Sequence, residues 1–488
     1  MAKQPHVIIF NPDSYRGDVQ GHLGNPAAVT PRLDEFVDTG GAVSYRNAFA
    51  QNPVCTPSRC SFMTGHYPHV HGHRSMRNLI KPHEKNLMSV LRDNGYFVFW
   101  GGHNDFVAID EETPYSHYCD VKYERQVMMD GVVYPDKTED WMRGAFYTGV
   151  LDTSACTGPV VDVDGSWVNG AVDLIRNGSL DKPLFVFLSL LNPHPEYLVE
   201  DIYVKDIDSD KLPKRIVPPN DLSQLPEIVE TLHGRLGCDE LTEDQWREVK
   251  RVYYGMCTKV DAYFGRIVDA LKERGIYDDT LLIFMSDHGD FAGDYSLPEK
   301  SHASFQDSIV NVPFVMKPPT NEECTPGIRN QLIELIDMPA SIYDYTGISP
   351  GYAVQGKSLR ASLAGDEGPI RDAVFAEAGD RKDEAGYIND QVLTMKPDSF
   401  YALQSKGSIT SHQRGSYGVM CRTLTHKYVR RGYSERHELY DLTNDPGETI
   451  NLYDDNSPSA IQRKLERRLL DYFMTTGDVL PFKPDRRE

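Results

Sequence analysis

Four short apolar runs punctuate the chain, and each gives way to a polar turn: Val7-Ile8-Ile9-Phe10, Phe97-Val98-Phe99-Trp100, Leu184-Phe185-Val186-Phe187-Leu188 and Leu281-Leu282-Ile283-Phe284-Met285. Continuous rather than alternating hydrophobicity over four or five residues predicts strands buried on both faces, as in a parallel sheet covered by helices. Between the last two runs the period changes: Val249, Val252, Met256, Val260, Phe264 and Ile267 recur every three or four residues. This predicts a helix from Thr242 to Arg274 with one apolar face. Thr242-x-x-Gln245 reads as a capping box at its start, and Gly275 as its stop. Strands alternating with helices predict an α/β doubly wound sheet. After about residue 370 the pattern shifts to Arg422–Tyr428, Glu438–Leu442, a turn at Asn444–Glu448 and a last helix near 458–474. That predicts a large unit over residues 1–368 and a smaller α+β unit over 369–488, a division in keeping with a length at which one core stops growing.

Charge narrows the function classes. Lys and Arg total 51 against 72 Asp and Glu, a formal net charge of −21, which argues against nucleic acid as a partner. A polyanionic substrate would need a local basic patch, and Arg422, His426, Lys427, Arg430, Arg431, Arg436 and His437 form one candidate. The group reads either as the wall of a substrate cleft or as a solvated hairpin. The acidic loops near 200–222 read as solvated. Eight cysteines without CxxC spacing predict a reduced set. No stretch approaches the length of a membrane span. The start runs directly into a strand with no signal-type apolar region, which as written predicts a cytoplasmic protein, periplasmic or secreted if a leader precedes it.

In doubly wound sheets ligands gather beyond the carboxyl ends of the strands. Chemistry is accordingly expected just past each apolar run: at Asp13, Ser14 and Arg16 after the first, and at His103, Asn104 and Asp105 after the second. Asn192-Pro193-His194 comes after the third, and Ser286-Asp287-His288-Gly289-Asp290 after the fourth. Each residue alone passes for a turn or cap residue; four such coincidences point to a site. Cys55-Thr56-Pro57-Ser58-Arg59, with Thr64-Gly65 shortly after it, adds a cysteine where a hydrolase needs a nucleophile. His66, His69, His71 and His73, with Arg74 and Arg77, crowd the next segment. Their spacing fits no standard metal motif, so they read as caps or substrate contacts.

Taken in order, these pieces resemble the formylglycine-dependent sulfatases of the alkaline phosphatase superfamily, over most of the chain from residue 7 to about 452. Supporting matches are Thr30-Pro31-Arg32-Leu33-Asp34, Thr64-Gly65-His66-Tyr67-Pro68, Lys300, Leu439-Tyr440-Asp441-Leu442 and Asp445-Pro446-Gly447-Glu448. The resemblance implies an alkaline-phosphatase-like mixed sheet flanked by helices. It implies oxidation of Cys55 to formylglycine by a formylglycine-generating or anaerobic sulfatase-maturating enzyme. It also implies one divalent metal held by Asp13, Asp287, His288 and the modified Cys55, with Ca²⁺ the usual occupant and Mn²⁺ or Mg²⁺ the alternatives.

Imidazole is a softer ligand than calcium prefers, and Ser14 stands where many members carry a second acid or an amide. The same resemblance gives His194 and Lys300 contact with sulfate and the ester oxygen, and Arg59 contact with the nucleophile. Sulfatases usually carry G-K-x-H where this chain has Gly102-His103-Asn104-Asp105, so His103 falls at the lysine and Asp105 at the histidine. One of these two is expected to receive the proton that re-forms the aldehyde.

The chemistry has its own logic. A sulfate monoester carries charge that repels nucleophiles, so a metal and fixed cations must neutralise its oxygens before attack. A hydrated aldehyde offers two hydroxyls, one to attack sulfur and one to lose its proton and expel sulfate; serine or cysteine lacks the second. The expected substrate is a sulfated oligo- or polysaccharide, with the 4-O-sulfate of chondroitin-type chains as a first candidate. Two alternatives stand beside it: a phosphonate or phosphate monoester hydrolase on the same fold, and a non-catalytic glycan-binding homologue in which Cys55 stays a thiol.

Overall fold

A computed structural model of the chain describes residues 4–135, 140–236, 238–379, 381, 416–432 and 436–478. In chain order its strands are β1 (His6–Asn11), β2 (Val43–Phe49), β3 (Phe97–Gly102), β4 (Val121–Tyr123), β5 (Tyr147–Leu151), β6 (Leu184–Ser189), β7 (Tyr197–Glu200) and β8 (Thr280–Met285). They continue as β9 (Asn311–Val312), β10 (Phe314–Lys317), β11 (Gly327–Glu334), β12 (Val374–Ala378), β13 (Gly418–Arg422), β14 (His426–Arg431) and β15 (Glu438–Asp441). The principal sheet runs β11-β2-β10-β8-β1-β6-β3-β4, with β9 paired to β2. The four apolar runs are its adjacent centre, β8-β1-β6-β3, and all three pairings are parallel. Antiparallel pairing of β10 with β8 and β2 makes the sheet mixed.

Both faces of the central strands are covered, which is why their residues are uniformly apolar. Ile8, Phe10, Val186, Leu188, Leu282 and Phe284 pack against the Val163–Asn177 and Glu243–Arg274 helices. Val7, Ile9, Phe185, Phe187, Leu281 and Ile283 point the other way, toward the Cys55–Thr64, Leu87–Asp93 and Asp337–Thr346 helices. The long helix begins with the Thr242–Gln245 capping box and ends at Gly275, whose φ of 72° is left-handed. None of the eight cysteines forms a disulfide. Among the described residues no helix is long and apolar enough to cross a membrane.

Strands β12-β13-β14-β15 form an antiparallel sheet. Along β13 the side chains alternate: Val419 and Cys421 pack under the Ala460–Thr476 helix with Leu465, Leu469 and Tyr472, while Met420 faces Phe49, Phe305 and Leu332 of the larger layer. Four of the seven members of the basic group, Arg422, Lys427, Arg431 and His437, are buried in the fold and neither solvated nor lining an open cleft. Lys427 is fully buried, 2.7 Å from both Asp307 Oδ1 and Glu448 Oε2, and Arg422 pairs with Asp307 at 2.8 Å. Arg431 holds Glu438 at 2.5 Å, Arg436 holds Glu230, and burial lowers the His437 pKa to about 4. Arg430 is exposed. The acidic stretch near 200–222 contributes Val204 and Ile207 to the core, so it is solvated only in part.

Candidate active site

Parallel order in β8-β1-β6-β3 brings four carboxyl ends to one edge, and the polar residues beyond them meet there. Asp13 lies two residues beyond β1, His288 three beyond β8, and His103 directly after β3. Gly102 has a φ of 126°, and a Cβ there would stand 2.1 Å from the Ser189 carbonyl oxygen. Only glycine lets β3 approach β6 this closely. Cys55 is the first residue of a helix buried along its whole length, and is itself 5% exposed.

Arg59, one helical turn on and completely buried, organises the floor. It donates from Nε to Asp287 Oδ2 and from an Nη to Asp13 Oδ2, both at 2.7 Å, and also to the Ser189 hydroxyl. Burial alone would push the Asp13 carboxyl up, but Arg59, with His103, His194 and His288 nearby, holds it well below the usual range. Asp287 Oδ1 accepts the Ser14 and His288 backbone N–H groups at 3.3 and 2.9 Å. Asp287 is thereby fixed beside the metal candidate group through Arg59 and the main chain. Ser14, at a left-handed φ of 65°, donates its hydroxyl to Asp13 Oδ1 at 2.8 Å.

Three histidines are set by one device. His103 Nδ1 faces the Ser189 carbonyl at 3.0 Å, His194 Nδ1 the Pro195 carbonyl at 2.5 Å and His288 Nδ1 the Gly289 carbonyl at 2.8 Å. A carbonyl only accepts, so each Nδ1 carries the proton and each Nε2 is left for chemistry. His288 Nε2 is buried without a hydrogen-bond partner, 3.4 Å from Asp13 Oδ1. An orphaned buried nitrogen is costly unless something binds it.

Ligand atoms of Asp13, Cys55 and His288 lie within 4.8 Å of one another, a donor set that fits one divalent cation with an imidazole ligand. Asp13, His103 and Asp105 are similarly close. There, however, Asp13 Oδ2 is already taken by Arg59, and His103 Nε2 lies 3.4 Å from Asp105 Oδ2 and 3.6 Å from Asp13 Oδ2. That second group is an acid–base pair beside a fixed guanidinium. Burial and Arg59 push the His103 pKa down, yet its bonds to Asp105 and Asp13 leave it raised overall.

Across the site, Lys300 Nζ is 2.6 Å from His194 Nε2 and 2.7 Å from Glu299 Oε1. Asp164 fixes the loop carrying His194 by accepting the Leu191 and Asn192 N–H groups at 2.8 and 2.7 Å. Burial, and Asp105 and Asp13 nearby, raise the Cys55 thiol well above its ordinary pKa, so an unmodified Cys55 is a poor thiolate nucleophile.

Asp13, Cys55, Arg59, His103, Asp105, His194, Asp287, His288 and Lys300 meet at this edge, whereas Arg16 turns to Asp18 and Asp294 and Asn104 bonds Val107 in its own loop. Reading the sequence missed Ser189, Tyr197, Glu299 and Met76, whose sulfur lies 3.8 Å from Cys55 Sγ. Ser189 was discoverable as the end of its strand, but the others belong to no motif. The histidine-rich segment is structural instead. His71 and His73 flank Glu84 at 3.4 and 3.3 Å, His69 binds Glu377 at 2.5 Å, and His66 bonds the Ala353 carbonyl at 2.7 Å.

The sheet edge, the cation-ready donor set and the opposed lysine define a hydrolase of charged esters on an alkaline-phosphatase-like α/β fold. The family profile for sulfatases matches residues 5–348, and the chain belongs to the sulfatase family, a group of sulfuric ester hydrolases within the alkaline phosphatase superfamily. It is similar to the arylsulfatase of Clostridium perfringens, at 23% identity over 83% of this chain and 86% of that one. It is also similar to the multifunctional alkaline phosphatase superfamily protein PehA of Trinickia caryophylli, at 25% identity over 97% and 96%. Among solved structures, the phosphonate monoester hydrolase of Agrobacterium radiobacter superposes with a TM-score of 0.75 at 22% identity, covering 98% of this chain and 97% of that one. A 2-O GAG sulfatase gives 0.71 at 19%, covering 98% and 93%. These two likenesses show a shared fold.

Proposed function

We propose that this chain hydrolyses sulfate monoesters of a sulfated carbohydrate, using the side chain at Cys55 after its conversion to formylglycine. The observation that carries the reading is the cluster of Cys55, Asp13 and the unpartnered His288 Nε2 over the Arg59 floor. Asp13, Asp287, His288 and the modified residue 55 would hold one divalent cation, which when bound neutralises charge on the ester oxygens. Calcium is usual in the family, and an imidazole in the set moves preference toward manganese. Formylglycine supplies the hydrated aldehyde.

The chain's own groups do the rest. Arg59 keeps Asp13 ionised and holds both Asp13 and Asp287 in place at 2.7 Å each. His103 Nε2, poised between Asp105 and Asp13, takes the proton released when the aldehyde re-forms. Lys300, with His194 Nε2 accepting one of its N–H groups, serves the ester oxygen and stabilises the departing alkoxide. The 4-O-sulfate of chondroitin is the first substrate to try. The test is sulfate release from chondroitin 4-sulfate and from its disaccharides by protein whose Cys55 conversion has been verified by mass, with a Cys55→Ala control. Release that the control abolishes supports the reading, and silence on both sugars removes the chondroitin assignment.

A second reading, a phosphonate or phosphate monoester hydrolase, draws on His288 in the ligand set and on near full-length similarity to PehA and the Agrobacterium radiobacter enzyme.

A further inference from the structure

The loop between the His288 turn and Lys300 is held in an unusual conformation. Ala292, Tyr295, Ser296 and Glu299 all have positive φ, at 46°, 56°, 54° and 58°, a region that residues with a Cβ avoid. Glu299 combines this with near-complete burial, at 1% exposure. A buried carboxylate in a left-handed backbone needs compensation, and Glu299 has it. Its Oε1 accepts from Lys300 Nζ at 2.7 Å and lies 3.4 Å from His194 Nε2. Its N–H donates to the Tyr197 hydroxyl at 2.8 Å, which in turn donates to Asp290 Oδ1 at 2.5 Å. Tyr197 and Asp290 thus anchor the glutamate to the turn that carries His288.

This arrangement dictates where protons sit. His194 Nδ1 gives its hydrogen to the Pro195 carbonyl at 2.5 Å, so Nε2 can only accept. Lys300, an ammonium with three donors, directs one to His194 and one to Glu299. These two bonds hold the ammonium between His194 and Glu299.

We propose that Glu299 is a positioning residue for leaving-group protonation: it holds the Lys300 ammonium beside His194, where it serves the ester oxygen. The inference rests on the ester-hydrolase reading above. In the step it serves, a hydroxyl oxygen of the hydrated aldehyde at residue 55 bonds to sulfur as the bond between sulfur and the bridging oxygen breaks. The electron pair stays on that oxygen, which takes a proton from Lys300 Nζ. Lys300 is left neutral and regains its proton from solvent before the next turnover.

General-acid assistance matters in proportion to the basicity of the departing oxygen, and that gives the test its discriminating power. Fully converted, metal-loaded enzyme is assayed on aryl sulfates ranging from the 4-nitrophenyl ester to the unsubstituted phenyl ester. The variants are Glu299→Gln and Glu299→Gly. Glycine suits the positive φ, so the second variant removes the carboxylate while relieving the backbone, and it remains informative should the first fold poorly. Both are expected to lose about tenfold to a hundredfold in kcat/KM on phenyl sulfate and far less on the 4-nitrophenyl ester, giving a steeper dependence on the leaving group than the parent enzyme shows. An equal loss across the series, or no loss, overturns the assignment while leaving the hydrolase reading intact. A parent enzyme silent on every aryl ester and on the sulfated sugars named above overturns the hydrolase reading and this inference with it.

Discussion

Lys427 offers the sharpest separation between a substrate-binding and an architectural role for the basic residues of the C-terminal sheet. Its Nζ is fully buried and gives hydrogen bonds to Glu448 Oε2 at 2.7 Å and the Phe305 carbonyl at 2.6 Å, with Asp307 Oδ1 also 2.7 Å away. Replacing it with methionine fills much of the volume but leaves the buried Glu448 carboxylate beside the half-buried Asp307, with Arg422 alone to compensate. Removing one partner of a buried ion pair typically costs about 3–5 kcal/mol. At roughly 2 °C per kcal/mol for a large domain, Tm should fall by about 6–10 °C. Glu448, whose pKa burial already raises to about 7, should take up a proton and limit the loss. The double variant Lys427→Met, Glu448→Gln should therefore recover part of the stability. The assay is thermal unfolding alongside KM for a sulfated substrate. An unchanged Tm with a raised KM would refute the reasoning and return Lys427 to the substrate cleft.

Other perturbations probe different layers. Asp105→Asn removes the acceptor that most directly favours protonated His103, so the His103 pKa, tracked by NMR, should fall, whereas no shift would separate the two residues. Asp261 accepts the Arg32 and Leu33 N–H groups, yet burial raises its pKa to about 7. Because its folded pKa exceeds the unfolded value, its contribution is complete below about pH 4 and is lost as pH rises through 7. At about 1.36 kcal/mol per unit the contribution is at most about 4 kcal/mol. Asp261→Asn should flatten the fall in stability between about pH 5 and 8 in denaturant titrations, and an unaltered slope would assign that fall to other groups. His288→Ala should reduce bound metal measured by elemental analysis, and full retention would remove its Nε2 from the ligand set.

The central strands were legible because each is apolar along its whole length and covered on both faces. The sheet's outer part was not. β2, Val-Ser-Tyr-Arg-Asn-Ala-Phe, mixes polar residues into a half-covered strand, and the antiparallel sense of β10 is set by pairing that no local pattern encodes. The site was legible where a residue closes an apolar run or sits in a motif, as with Asp13, Cys55 and His288. Glu299 was hidden because Leu297-Pro298-Glu299 reads as an ordinary loop, and its meaning comes from His194, far away in sequence. The basic group misled for the same reason: Asp307 lies well over a hundred residues from Lys427, so the charges looked unmatched in a local window.

The central claim is a sulfate ester hydrolase whose nucleophile derives from Cys55. It is tested most directly by comparing release of sulfate and of methylphosphonate from matched 4-nitrophenyl esters, using protein whose Cys55 has been verified by mass as the aldehyde, with Cys55→Ala alongside. The account predicts a higher kcat/KM for the sulfate ester and loss of both activities in the variant. A preference for the phosphonate ester would move the enzyme to the second reading, and undiminished sulfate release by Cys55→Ala would contradict the account outright.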